Sequence, residues 1–236
     1  MLLIVAPADL RAESTEPAFC VLVFSKTAAF RHDSIATGIA AIQALGQQNN
    51  YCAEATEDAR LFADESLAKY RVVIFLNTTG DVLDPGQQAA FERFVRRGGG
   101  YVGVHAATDT EYDWPWYGAL VGTYFRKHPA IQSATLNVVD PSHASTRHLP
   151  INWTRTDEWY NFTHDLDSGI TVLIRIDERT YRGGTMGVGH PISWHHTYDG
   201  GRAWYTAIGH TAASYSEPLF LQHLQGGINW AAGIVP

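Results

Sequence analysis

The chain has 236 residues, enough for one sizeable α/β domain and too few for two comfortable ones. Its 17 Lys and Arg against 24 Asp and Glu give a net charge of −7, and no basic stripe is present, which excludes nucleic-acid binding as the working class. Residues 1–8 are apolar and residues 9–17 polar; residues 1–18 read as an N-terminal segment, a truncated secretion signal or a disordered arm, ahead of one domain over 19–236. The apolar core favours export, secreted or periplasmic, over the cytoplasm, although a basic leader region is missing. No later stretch is long and apolar enough to cross a membrane.

The first core element is the apolar run Val21-Leu22-Val23-Phe24, a buried strand. Residues 35–45 follow as an amphipathic helix with Asp33 or Ser34 as its cap, and a second strand is expected near 51–55. Cys20 and Cys52 sit at the two strand starts; without a disulfide framework or zinc-site spacing they read as small buried hydrophobes. A short helix is expected over 64–69, and Val72-Val73-Ile74-Phe75-Leu76 is the third strand, apolar throughout as a sheet covered on both faces requires. Pro85 opens a helix over 87–97, three glycines end it, and the fourth strand runs into His105. Strand and helix alternating at this spacing predict a doubly wound parallel sheet. Beyond His105 the pattern loosens, with a short helix over 114–121, strands near 134–139, 172–176, 192–196 and 203–208, and a closing helix over 218–230.

Ligands of open parallel sheets bind beyond the carboxyl ends of the strands, so polar residues at those ends are candidates. The first strand leads to Phe30-Arg31-His32-Asp33-Ser34, the third to Asn77-Thr78-Thr79-Gly80-Asp81, and the fourth to His105, Asp109 and Trp114. The glycine-flanked strand ending on His105 has the form of a nucleophile elbow carrying an imidazole in place of Ser or Cys. Asn77, Thr78, Thr79 and Asp81 suit a hydroxylated ligand, or equally a turn. The second half adds His128, Thr156-Asp157-Glu158-Trp159-Tyr160, His190-Pro191 and Gly209-His210-Thr211. Eleven histidines raise a divalent metal, but no His-Glu-x-x-His pairing marks its ligands, and no cofactor is assigned.

These motifs together, in order from about Phe19 to Gly233, resemble the ThuA-like family, named for trehalose utilisation. The resemblance implies a three-layer flavodoxin-like core of the class I glutamine amidotransferase type, with His105 where an amidotransferase has its Cys. It implies carbohydrate metabolism, including disaccharides and their 3-keto derivatives, and does not imply amidotransferase chemistry. The expected activity is acid–base work on a glycoside or keto-sugar, as a hydrolase, lyase or isomerase. A non-catalytic sugar-binding or sensing protein is the alternative. In that expectation His105 is the central base or a metal ligand and Glu158 or Asp109 the second acid–base group. His32, His128, His190 and His210 orient or ligate, and Trp114, Trp159 and Tyr160 stack on the sugar. The expected partner is a carbohydrate, and an oligomer is compatible with the sequence.

Overall fold

The computed structural model describes residues 16–235, so the apolar start of the chain and the export signal read there lie outside the described residues. The first half is β1 (Cys20–Phe24), α1 (Ile35–Gln48), β2 (Cys52–Thr56), α2 (Asp64–Leu67), β3 (Val72–Leu76), α3 (Pro85–Arg96) and β4 (Gly100–Val104). These match the expected order. Strands β3 and β4 are buried at every position, as their apolar sequences require. Helix α3 starts on a capping box in which Asp84 and Gln87 exchange backbone bonds, with Pro85 in the first turn. Ser34 precedes α1 but makes no side-chain cap; its hydroxyl reaches the Gly209 carbonyl at 3.3 Å instead.

The second half contains α4 (Pro115–Val121), β5 (Phe125–Lys127), β6 (Gln132–Val138), β7 (Asn152–Asp157), β8 (Asn161–Phe162), β9 (Thr171–Ile176), β10 (Pro191–Tyr198), β11 (Gly201–Thr206) and α5 (Pro218–Ala231). The large sheet has nine strands in the order β2-β1-β3-β4-β11-β10-β9-β6-β7, and β5 pairs with β8 in a separate ribbon. From β2 to β11 the pairings are parallel; from β11 to β7 they are antiparallel. Helices α1 and α5 cover one face and α2, α3 and α4 the other, giving three layers. Phe75 and Tyr101 point to the α3 face, where Phe91 and Tyr117 meet them at ring separations of 5.4–6.3 Å. No helix among the described residues is long and apolar enough to cross a membrane.

The cysteines correct the sequence reading. Cys20 and Cys52 are direct partners in the parallel register of β1 and β2, with Cα atoms 4.5 Å apart, and they form a disulfide. Both are partly buried.

Candidate functional site

The carboxyl ends of the parallel strands are tied together before they reach the surface. Isolated bridges Thr27 to Thr79 and Gly80 to Thr110 carry the line of the sheet past the ends of β1, β3 and β4. Two strands end on residues in the left-handed region, Asn77 at φ 52° and His105 at φ 49°. This conformation is unfavourable for a side chain bearing Cβ and is held here by surrounding bonds. Tyr205 donates from its hydroxyl to the His105 carbonyl at 2.7 Å, and Asn77 donates to Ser34 Oγ at 3.0 Å. The elbow expected at His105 is therefore real in backbone, but its imidazole is fully buried rather than exposed.

Three further side chains converge on that imidazole, making a cluster of four. His32 comes from the loop after β1, His105 from the end of β4, Glu158 from the end of β7 and His210 from the turn after β11. Their donor atoms lie within 4.8 Å of one another, a set able to hold a metal ion. His105 Nε2 is 3.2 Å from His210 Nδ1 and 3.5 Å from Glu158 Oε2, and His210 Nδ1 is 3.2 Å from the same oxygen. The other Glu158 oxygen lies 2.9 Å from His128 Nδ1. Burial pushes the His32 imidazole down to about 3, reinforced by the charges of His105 and His210. Burial alone would raise Glu158, but His105 and His210 beside it hold its carboxyl at about 2. Burial likewise works against a charged His210, and Glu158 outweighs it, so His210 is raised.

A cavity of about 310 Å³ opens over this cluster, with His32, His210 and Glu158 in its floor and Asp109 and His128 on its wall. Phe30, Phe125 and Tyr160 supply its aromatic surface. Tyr160 packs on His105 with ring centres 4.2 Å apart and on Phe125 at 4.3 Å. Phe30 is 64 % exposed and stands at the mouth. Asp109 accepts a 2.6 Å bond from the Tyr112 hydroxyl, and burial raises its carboxyl above the usual range.

The residues expected from sequence divide between pocket and support. His32, His105, Asp109, His128, Glu158, Tyr160 and His210 gather in or directly beneath the pocket. The others do not line it. Asn77 and Thr78 are fully buried, the latter paired with Thr110 at 2.8 Å, and Asp81 is exposed on the surface. Thr79 donates to the Phe30 carbonyl at 2.7 Å, so it shapes the rim without facing the cavity. Trp114 packs beside Trp116 and Tyr117, and Trp159 is fully buried with its indole N–H on the Gln132 carbonyl. Neither indole can reach a sugar, because each fills the space between sheet and covering segments. His190 is buried beneath the pocket wall, its Nε2 on the Tyr160 carbonyl at 2.7 Å and its Nδ1 2.8 Å from Glu178.

Asp157 was missed as a site residue, yet it fixes two of the four converging groups. Its Oδ1 accepts from the backbone N–H of Glu158 at 2.9 Å and of His210 at 3.2 Å. Its Oδ2 accepts from the Gly209 N–H and the Ser214 hydroxyl, each at 3.1 Å, and pairs with Arg155 at 3.1 Å. The only signal in the sequence was an acidic residue beside Glu158, and Phe30 and Phe125 carried no polar signal at all.

Comparison with known proteins decides the family. The profile described as trehalose utilisation matches residues 20–231. The chain belongs to the ThuA family. Its fold is that of a ThuA-like protein from Bacteroides uniformis ATCC 8492, with a TM-score of 0.78 at 23 % identity over 96 % of this chain and 95 % of the other. A ThuA-like protein from Parabacteroides merdae ATCC 43184 superposes with a TM-score of 0.75 at 20 % identity, over 92 % and 90 % of the two chains. A β-galactosidase from Bacillus circulans sp. alkalophilus matches with a TM-score of 0.60 at 17 % identity, over 95 % of this chain but 32 % of that larger one. No curated protein matches the chain in sequence. The ThuA-like neighbours share this fold, a mixed, mostly parallel central sheet with flanking helices, as expected of a flavodoxin-like core.

Proposed function

We propose that this ThuA-family protein is a carbohydrate-processing enzyme acting on a glycoside or a keto-sugar. The carrying observation is that Asp109 and the cluster of imidazoles around Glu158 share one cavity walled by aromatic rings. Its volume of about 310 Å³ lies at the small end of ligand pockets, the size of a sugar unit rather than of a long polymer. Phe30 at the mouth and Tyr160 and Phe125 within offer apolar faces to the C–H side of a sugar ring. In this reading Asp109 moves the proton, because burial lets it hold one at higher pH than a surface carboxylate. The reacting oxygen, a ring carbonyl or a glycosidic oxygen, sits over His105, His210 and Glu158, and His128 steadies Glu158 from the wall. The Cys20–Cys52 bridge supports an oxidising compartment.

The test is steady-state turnover of trehalose, other disaccharides and their 3-keto derivatives, with sugar binding followed by calorimetry. Asp109→Asn should lower turnover about 10²–10⁴-fold while binding persists. Wild-type protein that binds these sugars and turns none over would support the sensing alternative. Absence of both binding and turnover would refute the carbohydrate reading.

A further inference from the structure

We propose that His105, His210 and Glu158, with His32 on the open side, form a binding site for one divalent transition-metal ion of the zinc type. The surroundings of His105 fix its tautomer. His105 Nδ1 lies 2.8 Å from the Ala207 carbonyl, which can only accept, so Nδ1 carries a hydrogen, and in that tautomer the Nε2 lone pair faces the cluster. That lone pair faces Glu158 Oε2 at 3.5 Å, a second acceptor, and both lie 3.2 Å from His210 Nδ1. A single proton on His210 Nδ1 can point at one of them only. A cation between the three atoms satisfies all of them at once.

The spacing fits such an ion. Zinc bonds of about 2.0–2.1 Å in tetrahedral geometry set neighbouring ligand atoms about 3.3 Å apart. The observed edges are 3.2, 3.2 and 3.5 Å. His32 belongs to the same group within 4.8 Å, and its buried Nδ1 has no hydrogen-bond partner. It closes the shell, or leaves the fourth position to water or substrate in the cavity. Three nitrogens and one oxygen favour zinc-like ions over calcium or magnesium, which take oxygen ligands.

The surrounding bonds are those a metal site needs. The Ala207 carbonyl fixes the His105 ring, Asp157 anchors the backbone of Glu158 and His210, and His128 Nδ1 stands 2.9 Å from the second Glu158 oxygen, at the same distance from the Pro129 carbonyl. The ligands come from four separate loops, so no local spacing motif announces them. The site stands whatever sugar, if any, enters the cavity; only the ion's use in polarising a sugar oxygen rests on the proposed function.

The test uses the full chain, free of any histidine tag, stripped with a chelator and titrated with zinc, manganese and calcium by calorimetry and thermal melting. One zinc per chain should bind, with calcium at least about 100-fold weaker. Glu158→Gln and His210→Ala should each weaken zinc more than about 100-fold, and His128→Ala, at a residue that stands against Glu158 and does not reach the ion, about 10–100-fold. Exposed His164→Ala should bind like wild type. Melting of each stripped variant reports whether it folds, and His210→Ala, at a half-buried position, stands in if Glu158→Gln does not. Absence of stoichiometric zinc, or undiminished zinc in the folded ligand variants, would overturn the site. Because none of these readouts involves sugar, their outcome is separable from the turnover assays.

Discussion

Replacing Asp157 with Asn removes the charge that balances Arg155 in the interior. The two side chains are 0 % and 2 % exposed, and burial already lowers the Arg155 guanidinium from its usual value. The Arg155 plane lies over Trp153 and Phe220 at 4.9 and 5.3 Å, and its Nε and Nη1 have no hydrogen-bond partner, so an unbalanced charge there has little to fall back on. Breaking a buried pair from one side typically costs about 3–5 kcal/mol. Glu217, 3.3 Å away and 39 % exposed, recovers part of the lost attraction, which puts the expected loss near 3 kcal/mol. Asparagine makes matters no easier, since five donors converge on the two Asp157 oxygens and an amide presents only one acceptor. At about 2–4 °C per kcal/mol for a chain of this size, the melting temperature should fall by roughly 6–12 °C. Urea unfolding at neutral pH, with melting alongside, measures the loss. Arg155→Met in the same chain should restore part of it by removing the stranded charge. A loss below about 1 kcal/mol, or no recovery in the double variant, would refute the account of a charge-balanced bracket.

Two further outcomes follow from features away from the pocket. The Cys20–Cys52 bridge spans a sequence separation of 32, for which chain entropy predicts about 3–4 kcal/mol of stabilisation. Cys20→Ser with Cys52→Ser should therefore melt well below wild type, while zinc binding and turnover at the opposite end of the strands stay intact; unchanged melting would remove the bridge's stabilising role. His223 is fully buried, donates through Nδ1 to the Ser145 carbonyl at 2.7 Å, and is pushed down to about 3 by burial, with His148, His143 and Arg155 opposing its charge. Its folded value lies below the unfolded one, so its contribution is complete above about pH 6.5 and is lost as pH falls from there toward 3. Stability of His223→Gln should fall less steeply over that range than wild type, by up to about 1.4 kcal/mol per pH unit, and parallel slopes would count against it.

The parallel half of the fold was legible because its strands are continuous apolar runs, and the positions of His32, His105 and Asp109 followed from where such strands end. Strand β7 was not. Its inward positions are Trp153, Arg155 and Asp157, and two charged residues in the buried set erase the alternation that marks a half-buried strand. The three-residue β5 and two-residue β8 are too short to carry a period. The disulfide depends on β1 and β2 lying side by side in one register, a long-range fact that the spacing of two cysteines does not contain. The tryptophans misled for a related reason. An indole after a strand can turn outward to a ligand or inward to the sheet, and Trp114 and Trp159 turn inward while Phe30 takes the exposed place at the mouth.

Strand β11 lies between β4 and β10, so the centre of the sheet is filled by one of the last elements of the chain. Until Arg202 meets Gly100 and Thr206 meets Val104, β4 is an apolar edge strand with unpaired backbone groups, the kind of edge that recruits other chains. The same event brings His210 to His105 and lets Ala207 orient the ring. Assembly of the pocket and closure of the sheet thus depend on the same long-range pairing of β11 with β4. A chain halted before β11 would have neither a site nor a protected edge, and a ligand that bridges His105 and His210 would hold that last strand in place.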